Sequence, residues 1–260
     1  MSKTALITGA SNGIGYEMAK VHAMKDSNLV LVARNKSKLD VFKDELERKY
    51  KVWVYTIGKD LSQPNAAKEV YDELKTKSIS IDYLVNNAGF GDFGPFAESD
   101  WGKQEQMINL NVTTLTYFTR LFLTDMICRG GGKVLNVAST ASFQPGPTMA
   151  VYFATKAYVL SFSEAINDEV RKYGITVTAL CPGPTQSGFQ AGATRAGSKI
   201  LERNNLATSK EVAEYGYKAM MKGKAVAIHG FKNVIMANSV RFAPRSLVVK
   251  LTRKIQEKKF

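Results

Sequence analysis

Short apolar runs alternate along this chain with longer stretches in which apolar and charged positions recur every three or four residues. The apolar runs are continuous rather than alternating, which is the pattern of strands that are covered on both faces of a sheet. They predict seven strands, over residues 4–8, 28–33, 52–57, 81–85, 133–138, 175–180 and 225–229.

The amphipathic stretches between these strands predict helices, over residues 13–25, 36–50, 63–77, 99–128, 149–173 and 212–221. Alternation of strands and helices implies right-handed crossovers and a doubly wound parallel sheet. We therefore expect an α/β, Rossmann-type fold of about seven strands with helices on both faces. The chain shows no internal repeat, low-complexity segment or linker, so residues 1–260 are interpreted as one domain.

Two segments depart from this rhythm. Residues 184–206 are rich in Gly, Ser, Thr and Ala and follow a strand at the edge of the sheet where ligands bind, which favours a substrate lid over a long surface loop. Residues 231–260 form an extension whose apolar spacing predicts amphipathic helices broken at Pro244. Core or subunit packing is favoured for these helices, and their basic end leaves membrane docking as the alternative.

The loop after the first predicted strand is rich in glycine and reads Gly9-Ala10-Ser11-Asn12-Gly13-Ile14-Gly15. Glycines permit a sharp turn and let backbone amides approach a pyrophosphate closely. The following helix would direct its positive end at that anion. The pattern predicts a dinucleotide site, although the spacing differs from the common GxGxxG fingerprint.

The second predicted strand ends at Ala33-Arg34, where an acidic residue would bind the ribose 2′-hydroxyl of NAD. Arg34 instead offers a guanidinium fork to a 2′-phosphate. We therefore predict that NADP(H) is preferred and that NAD(H) is the poorer cofactor. The alternative is an arginine that only covers the end of the strand.

Tyr152 and Lys156 lie four residues apart on a predicted helix, with Ser139 thirteen residues upstream. Residues at this spacing share one helix face, and a cation beside a phenol lowers its pKa from about 10. This arrangement predicts proton transfer by the tyrosine near neutral pH. Tyr158 and Ser142 lack a lysine four residues further on and rank below Tyr152 and Ser139.

Taken together, these motifs resemble the short-chain dehydrogenase/reductase family over residues 3–230. The chain is similar to a bacterial subgroup near the 3-oxoacyl and hydroxysteroid reductases. The matching residues are Thr8 to Gly15, Asn86-Asn87-Ala88-Gly89, Asn111, Ser139, Tyr152, Lys156 and Pro182-Gly183.

The resemblance implies a catalytic set of four side chains. Tyr152 would be the general acid or base, and Lys156 would lower its pKa and bind the nicotinamide ribose. Ser139 would hydrogen-bond the carbonyl oxygen where negative charge develops. Asn111 would position a water that links Lys156 to solvent. The cofactor would supply the hydride.

The resemblance also implies the cofactor contacts, in addition to Tyr152 and Lys156. Phosphate contacts would come from Gly9, Ser11, Asn12, Gly13, Ile14 and Gly15. The adenosine would be held by Asp60 and the Leu61 amide, with Asn87, Ala88 and Gly89 along its ribose, and the nicotinamide carboxamide by Pro182, Gly183 and Thr185. The position that Asn12 occupies is often basic in relatives that prefer NADP. Because it is neutral here, the predicted preference depends on Arg34 alone.

The formal net charge of +13 would attract nucleic acid or an anionic membrane. Basic residues are nevertheless mixed with acidic ones over most of the chain, and we expect a solvated surface and no nucleic-acid partner. Basic residues are concentrated only near the C-terminus, where there is one acidic residue, Glu257. The basic residues there are Arg241, Arg245, Lys250, Arg253, Lys254, Lys258 and Lys259.

Several classes of protein are not expected. No run of 18 or more apolar residues is present, and the N-terminal residues lack the pattern of a signal peptide. Cys128 and Cys181 are interpreted as reduced structural thiols in a cytoplasmic protein. His22 and His229 are isolated, so no metal site is predicted.

We therefore expect an NADP(H)-dependent oxidoreductase that interconverts a carbonyl and an alcohol. Aromatic residues near the predicted site, including Phe93, Phe143 and Phe153, favour a hydrophobic substrate. The alternative is a catalytically inactive, cofactor-sensing regulatory protein of the same fold. The family resemblance further implies a homodimer or homotetramer, paired through the helices around residues 99–128 and 149–173.

Overall fold

The computed structural model describes residues 2–186 and 206–256. Most of the predicted substrate lid, residues 187–205, and the last residues of the basic extension, 257–260, lie outside this part of the chain.

A seven-stranded, fully parallel sheet forms the centre of the molecule, in the order β3-β2-β1-β4-β5-β6-β9. A separate parallel pair is formed by β7 and β8, which come between β6 and β9 along the chain. The strands are β1 Thr4–Thr8, β2 Asn28–Ala33, β3 Val54–Gly58, β4 Tyr83–Asn86, β5 Gly132–Val137, β6 Ile175–Cys181, β7 Thr185–Gln186, β8 Ala207–Thr208 and β9 Val226–Ile228.

Helices cover both faces of this sheet, and the predicted fold class is therefore confirmed. They are α1 Gly13–Ala23, α2 Lys36–Tyr50, α3 Ala66–Thr76, α4 Trp101–Ile108, α5 Leu115–Arg129, α6 Ala150–Val170, α7 Ser209–Met221, α8 Phe231–Ser239 and α9 Arg245–Gln256. One apolar core joins α1, α2 and α7 to one face of the sheet, and a second joins α3, α5 and α6 to the other.

Strand side chains alternate between the two cores, as the pleat of a sheet requires. Ile7 of β1 belongs to the core under α1 and α2, whereas Leu6 belongs to the core under α3 and α5. Both side chains are fully buried. This two-sided burial explains why the strands are continuous apolar runs in the sequence.

Local capping fixes several helix boundaries. The side chain of Asn35 accepts a hydrogen bond from the Lys38 amide at 2.9 Å and starts α2. Thr208 and Glu211 form a reciprocal capping box at the start of α7. Pro244 directly precedes α9 and separates it from the 3-10 turn Val240–Phe242, as its position in the sequence predicted.

The long helix predicted over residues 99–128 is one clear departure from the sequence analysis. It divides into α4 and α5, which are joined by a π-helical segment, Asn109–Thr114. A π-helical turn makes i→i+5 hydrogen bonds and does not change the hydrophobic pattern enough to be seen in the sequence. Its position matters because Asn111 lies inside it.

No helix in residues 2–186 and 206–256 has the length and apolar character needed to cross a bilayer. Within the same residues, no cluster of three or more His, Cys, Asp or Glu side chains is arranged to hold a metal ion.

His22 of α1 is fully buried, and neither ring nitrogen has a hydrogen-bond partner within the described part of the chain. Its ring lies among aromatic rings, 5.4 Å from that of Tyr83 and 4.9 Å from that of Tyr217. Burial lowers the pKa of His22 to about 3. The folded protein therefore keeps this imidazole neutral, whereas the unfolded chain binds a proton below about pH 6.5.

We predict that His22 makes the protein sensitive to mild acid. Its contribution to stability is fully present above about pH 6.5 and is lost as the pH falls toward 3, at up to about 1.4 kcal/mol per unit. In His22→Leu, the decrease in the free energy of unfolding between pH 7.5 and pH 5 should shrink by about 2 kcal/mol, measured by urea titration. The control His229→Leu should retain the full decrease, and an unchanged decrease in His22→Leu would contradict the prediction.

Candidate active site

The glycine-rich loop after β1 is packed so closely that two of its positions exclude a side chain. Gly9 has a φ of +67°, in the left-handed region. A Cβ placed on Gly15 would lie 2.4 Å from Nδ2 of Asn87 and 2.5 Å from the carbonyl oxygen of Gly9. The loop therefore turns tightly against the segment that follows β4.

The hydroxyl of Thr8 fastens this loop to the neighbouring strand. Its Oγ1 accepts hydrogen bonds from the amides of Asn87, at 3.0 Å, and Ala88, at 2.9 Å. The side chain of Asn87 returns a bond from Nδ2 to the carbonyl of Thr8, at 2.9 Å. Thr8 is buried. Its role was missed from the sequence, where it was only the first letter of the glycine motif.

The first turn of α1 is suited to an anion. Asn12 precedes the helix without using its side chain as a cap, and no acidic residue lies in the first turn. Ser11 and Gly13 are partly exposed, whereas Ile14 packs against the core. Backbone amides at a helix N-terminus carry partial positive charge. The residues present therefore fit the pyrophosphate of a dinucleotide.

Arg34 is exposed and follows β2 directly. Asp60 follows the neighbouring parallel strand β3, so both residues lie at the carboxyl edge of the sheet. Burial would raise the pKa of Asp60, but hydrogen bonds from Ser62 and the nearby Arg34 guanidinium outweigh it, and the pKa lies below its ordinary value. Asp60 Oδ1 accepts from the Ser62 amide at 3.0 Å and from its hydroxyl at 2.7 Å. The neighbouring Leu61 is buried, and its carbonyl accepts from Thr114.

Asn111 is completely buried in the π-helical segment and uses both ends of its amide. Its Nδ2 donates to the carbonyl of Phe90, at 3.0 Å, and to Oγ1 of Thr155, at 3.1 Å, while its Oδ1 accepts from the Phe90 amide, at 3.2 Å. A Cβ on Gly89 would lie 2.9 Å from Asn111 Oδ1 and 3.5 Å from Lys156 Nζ. Gly89, Asn111 and Lys156 therefore meet in one place.

Tyr152, Lys156 and Ser139 also come together, at the carboxyl edge of the sheet beside the first turns of α6. The side chains of Tyr152 and Ser139 are hydrogen-bonded, and Ser139 Oγ accepts from the Ala141 amide at 3.1 Å. Lys156 Nζ lies 5.9 Å from the centre of the Tyr152 ring. That nitrogen donates to the carbonyl of Val137, at 2.7 Å.

The expectation that Lys156 lowers the pKa of Tyr152 is wrong for the chain in this state. Burial raises the pKa of Tyr152 to about 12, and the hydrogen bond with Ser139 offsets only part of that effect. Burial also lowers the pKa of Lys156 to about 8. The cause is that the pocket removes water from both groups while the ammonium points at a backbone carbonyl instead of the phenol.

The two lower-ranked residues have other hydrogen-bond partners. Ser142 is buried and donates to the carbonyl of Lys156, at 2.7 Å. Tyr158 is exposed and its hydroxyl lies 3.1 Å from Oγ1 of Thr116.

The segment after β6 borders the same edge. The carbonyl of Pro182 accepts from the Thr140 amide at 2.9 Å, and Thr185 Oγ1 donates to the carbonyl of Gly183 at 2.8 Å. A Cβ on Gly183 would lie 2.5 Å from Nδ2 of Asn233 in α8. No local signal in the sequence pointed to Asn233, because the contact joins residues fifty positions apart.

Apolar side chains surround Tyr152, which packs with Met149, Phe153 and Phe93 around the buried Ala141. A cavity of about 350 Å³ adjoins this cluster but does not include Tyr152, Ser139 or Lys156. Its lining comes from residues 142–147, the outer face of α6 and Arg245. The cavity is therefore a neighbour of the polar cluster, and the two share Phe153 as a wall.

Known proteins are similar to this chain in sequence. The family model described as short chain dehydrogenase matches residues 3–197. A human very-long-chain 3-oxoacyl-CoA reductase is 33% identical over 188 residues, which is 70% of this chain and 59% of the reductase. Mouse 17-beta-hydroxysteroid dehydrogenase type 3 is 33% identical over 186 residues, 70% of this chain and 60% of its own. The chain thus spans about three fifths of the length of these relatives.

Solved structures of other proteins superpose on nearly the whole of this chain. A short-chain dehydrogenase from Sphingobium yanoikuyae in complex with NADPH superposes with a TM-score of 0.83 at 31% identity, covering 94% of each chain. A bulky-bulky ketone specific alcohol dehydrogenase from Comamonas testosteroni gives a TM-score of 0.78 at 30% identity, covering 92% of each.

We predict that Thr8 stabilises the site through its hydroxyl. Thr8→Val preserves the shape but leaves the amides of Asn87 and Ala88 without their acceptor, which should lower the free energy of unfolding by about 2–3 kcal/mol in urea titrations. Thr8→Ser keeps the hydroxyl and should lose less than about 1 kcal/mol. Equal stability of the two variants would contradict this role.

Proposed function

The chain belongs to the short-chain dehydrogenase family, and on that premise we propose that it is an NADP(H)-dependent oxidoreductase that interconverts a carbonyl and an alcohol. The observation that carries this proposal is the joint position of Tyr152, Ser139, Lys156 and Asn111 at the carboxyl edge of the sheet. All four catalytic side chains are retained, which favours an enzyme over the inactive, cofactor-sensing alternative.

The glycine loop and the start of α1 would hold the pyrophosphate through backbone amides. Asp60 and Leu61 would border the adenine, and residues 87–89 its ribose. Pro182, Gly183 and Thr185 would face the nicotinamide carboxamide. When bound, the dinucleotide supplies the hydride. The chain's own residues supply orientation and the proton.

In the reductive direction, Tyr152 donates its hydroxyl proton to the substrate oxygen. A pKa near 12 keeps this proton in place at neutral pH until negative charge develops on that oxygen. The Ser139 hydroxyl donates a hydrogen bond to the same oxygen. Lys156, whose pKa of about 8 keeps most of it charged at pH 7, offsets the negative charge that remains on the phenolate.

Asn111 acts as a positioning residue in this scheme. Its amide holds the Phe90 backbone and the Thr155 hydroxyl, and Thr155 in turn donates to the carbonyl of Tyr152 at 2.7 Å. The same amide is near Lys156, with Gly89 between them. This contact network supports the role of the π-helical segment in placing the catalytic lysine and tyrosine.

The substrate is proposed to be hydrophobic. Phe93, Met149 and Phe153 pack around Tyr152, and the adjoining cavity has mostly apolar walls. Relatives named for 3-oxoacyl-CoA, hydroxysteroids and bulky ketones support the same class. An NADPH-oxidation screen over these three classes would identify the subclass.

The setting is proposed to be the cytoplasm, because Cys128 and Cys181 are both free thiols. We further propose a homodimer or homotetramer that pairs through the helices of residues 99–128 and 149–173, which are α4, α5 and α6. The outward faces of these helices expose Ile127 and Tyr158, which suits contact with a second copy.

We predict that Tyr152→Phe reduces kcat for carbonyl reduction by about a thousandfold or more, because it removes the proton donor and leaves the ring in place. Dinucleotide affinity, measured by quenching of protein fluorescence, should change less than about threefold. Tyr158→Phe removes an exposed hydroxyl from the same helix and should retain full activity. Turnover of Tyr152→Phe within tenfold of the parent would overturn the assignment.

We predict that Arg34 sets the cofactor preference. Arg34→Ala should raise KM for NADPH about ten- to a hundredfold, the loss of one or two charge-assisted hydrogen bonds, and leave KM for NADH nearly unchanged. Arg48→Ala, which changes an exposed arginine roughly 18 Å along α2 from its first residue, is the matched control. Equal use of NADH and NADPH by the parent enzyme would refute the NADP assignment.

A further inference from the structure

The C-terminal helix α9 presents an apolar stripe to solvent. Leu247, Leu251 and Ile255 recur every four residues, and each is between 44% and 49% exposed. Residues four apart lie on one helix face, so the three side chains form a continuous strip. A strip of this kind on the surface indicates a contact with another apolar phase.

The segment before α9 adds two of the most exposed aromatic side chains of the described chain. Phe231 opens α8 with 79% of its surface exposed, and Phe242 lies in the turn before α9 with 89% exposed. Val234, Ile235 and Met236 of α8 are also exposed. The pattern of burial along residues 231–256 is therefore unlike that of a core segment, and the predicted core packing of this extension is limited to a few anchors.

Those anchors hold α9 in a fixed orientation. Val248 and Gln256 are buried, and the Thr148 hydroxyl lies 3.5 Å from Gln256 Oε1. At 100° per residue, Val248 lies at the margin of the strip, close to Ile255, and Gln256 lies further round the helix. The exposed strip thus belongs to a docked helix and runs along the margin of the face that packs on the protein.

The charge of this region has a single sign. Residues 230–256 contain no Asp or Glu, and their basic residues are Lys232, Arg241, Arg245, Lys250, Arg253 and Lys254. Basic side chains next to exposed aromatic and aliphatic ones are the pattern of helices that lie in the interface of an anionic bilayer.

A second copy of the chain fits this surface less well. A two-fold interface would place the same patch against itself and bring two sets of basic residues of like charge together. An anionic lipid surface suits both the basic residues and the apolar strip, since headgroups neutralise the cations and the acyl boundary takes up the apolar side chains. We propose that α8, α9 and the turn between them dock this protein on anionic membranes.

This surface borders the candidate active site. α8 contacts the turn Thr140–Phe143, which directly follows Ser139, and Asn233 of α8 lies against Gly183. Docking would hold the catalytic edge of the sheet close to the bilayer. Delivery of an apolar substrate from the lipid would then follow, and this consequence alone rests on the proposed function.

The test is flotation of the full chain with vesicles of phosphatidylcholine, with or without about 30% phosphatidylglycerol. The chain should float with the anionic vesicles at 0.1 M salt and remain unbound with the neutral ones, and 0.5 M salt should weaken binding. Lys250→Gln/Lys254→Gln should lower the partition coefficient about thirtyfold, at about fivefold per charge. Phe242→Ser/Leu251→Ser should lower it at least tenfold at unchanged charge.

The matched control is Val41→Ser/Lys49→Gln, which removes an exposed apolar residue and an exposed lysine from α2 and should bind like the parent. NADPH oxidation without vesicles should be the same in all variants, which separates loss of docking from loss of catalysis. Absence of parental binding to anionic vesicles would overturn the proposal. So would binding that survives Phe242→Ser/Leu251→Ser, or a dimer in sedimentation velocity that this variant dissociates, since the latter would identify a second copy as the occupant.

Discussion

The parallel hydrogen-bond register of the seven strands is the constraint on which the rest of the structure depends. Because every strand runs the same way, the residues that follow β1, β4, β5 and β6 all emerge at one edge of the sheet. Gly9, Asn87, Ser139 and Pro182 are far apart in sequence and meet there for that reason alone. The order of strands reverses between β1 and β4, which opens a crevice at that edge, and the Thr8 hydroxyl binds the two sides of the crevice together.

Buried polar groups reinforce this edge from below. Asn86 and Asn136 are paired across β4 and β5 at 2.9 Å, and Asn136 donates onward to Ser163 of α6 at 3.0 Å. Such groups cost free energy unless each is bonded, so they tie β4, β5 and α6 to one relative position. Lys156 lies on the same helix as Ser163, seven residues before it. The polar layer and the desolvated pair of Tyr152 and Lys156 are therefore parts of one arrangement, in which the core fixes the position of α6, the helix that carries both residues.

Burial and exposure divide the molecule into two electrostatic settings. At the sheet edge, removal of water raises the pKa of Tyr152 to about 12 and lowers that of Lys156 to about 8, so at pH 7 the phenol is neutral and most of the amine stays charged in a dry pocket. At the C-terminal helices, basic residues lie beside exposed aromatic rings in a segment that contains no Asp or Glu between residues 230 and 256. The first setting suits proton transfer, the second suits an anionic surface, and α8 connects them through its contacts with Gly183 and the turn after Ser139.

The sequence by itself determined the elements whose signal is local. Continuous apolar runs predicted the seven strands, and the limits of α2 and β2 match because a cap, a charged face and a two-sided apolar run are each written within a few residues. It also indicated which residues gather at the edge, since the motifs follow successive strands. Tertiary structure alone decided the π-helical turn at Asn111, the contact of Asn233 with Gly183, the direction of Lys156 toward Val137 and the exposure of α9. These depend on desolvation and on contacts between distant segments, which no local periodicity encodes.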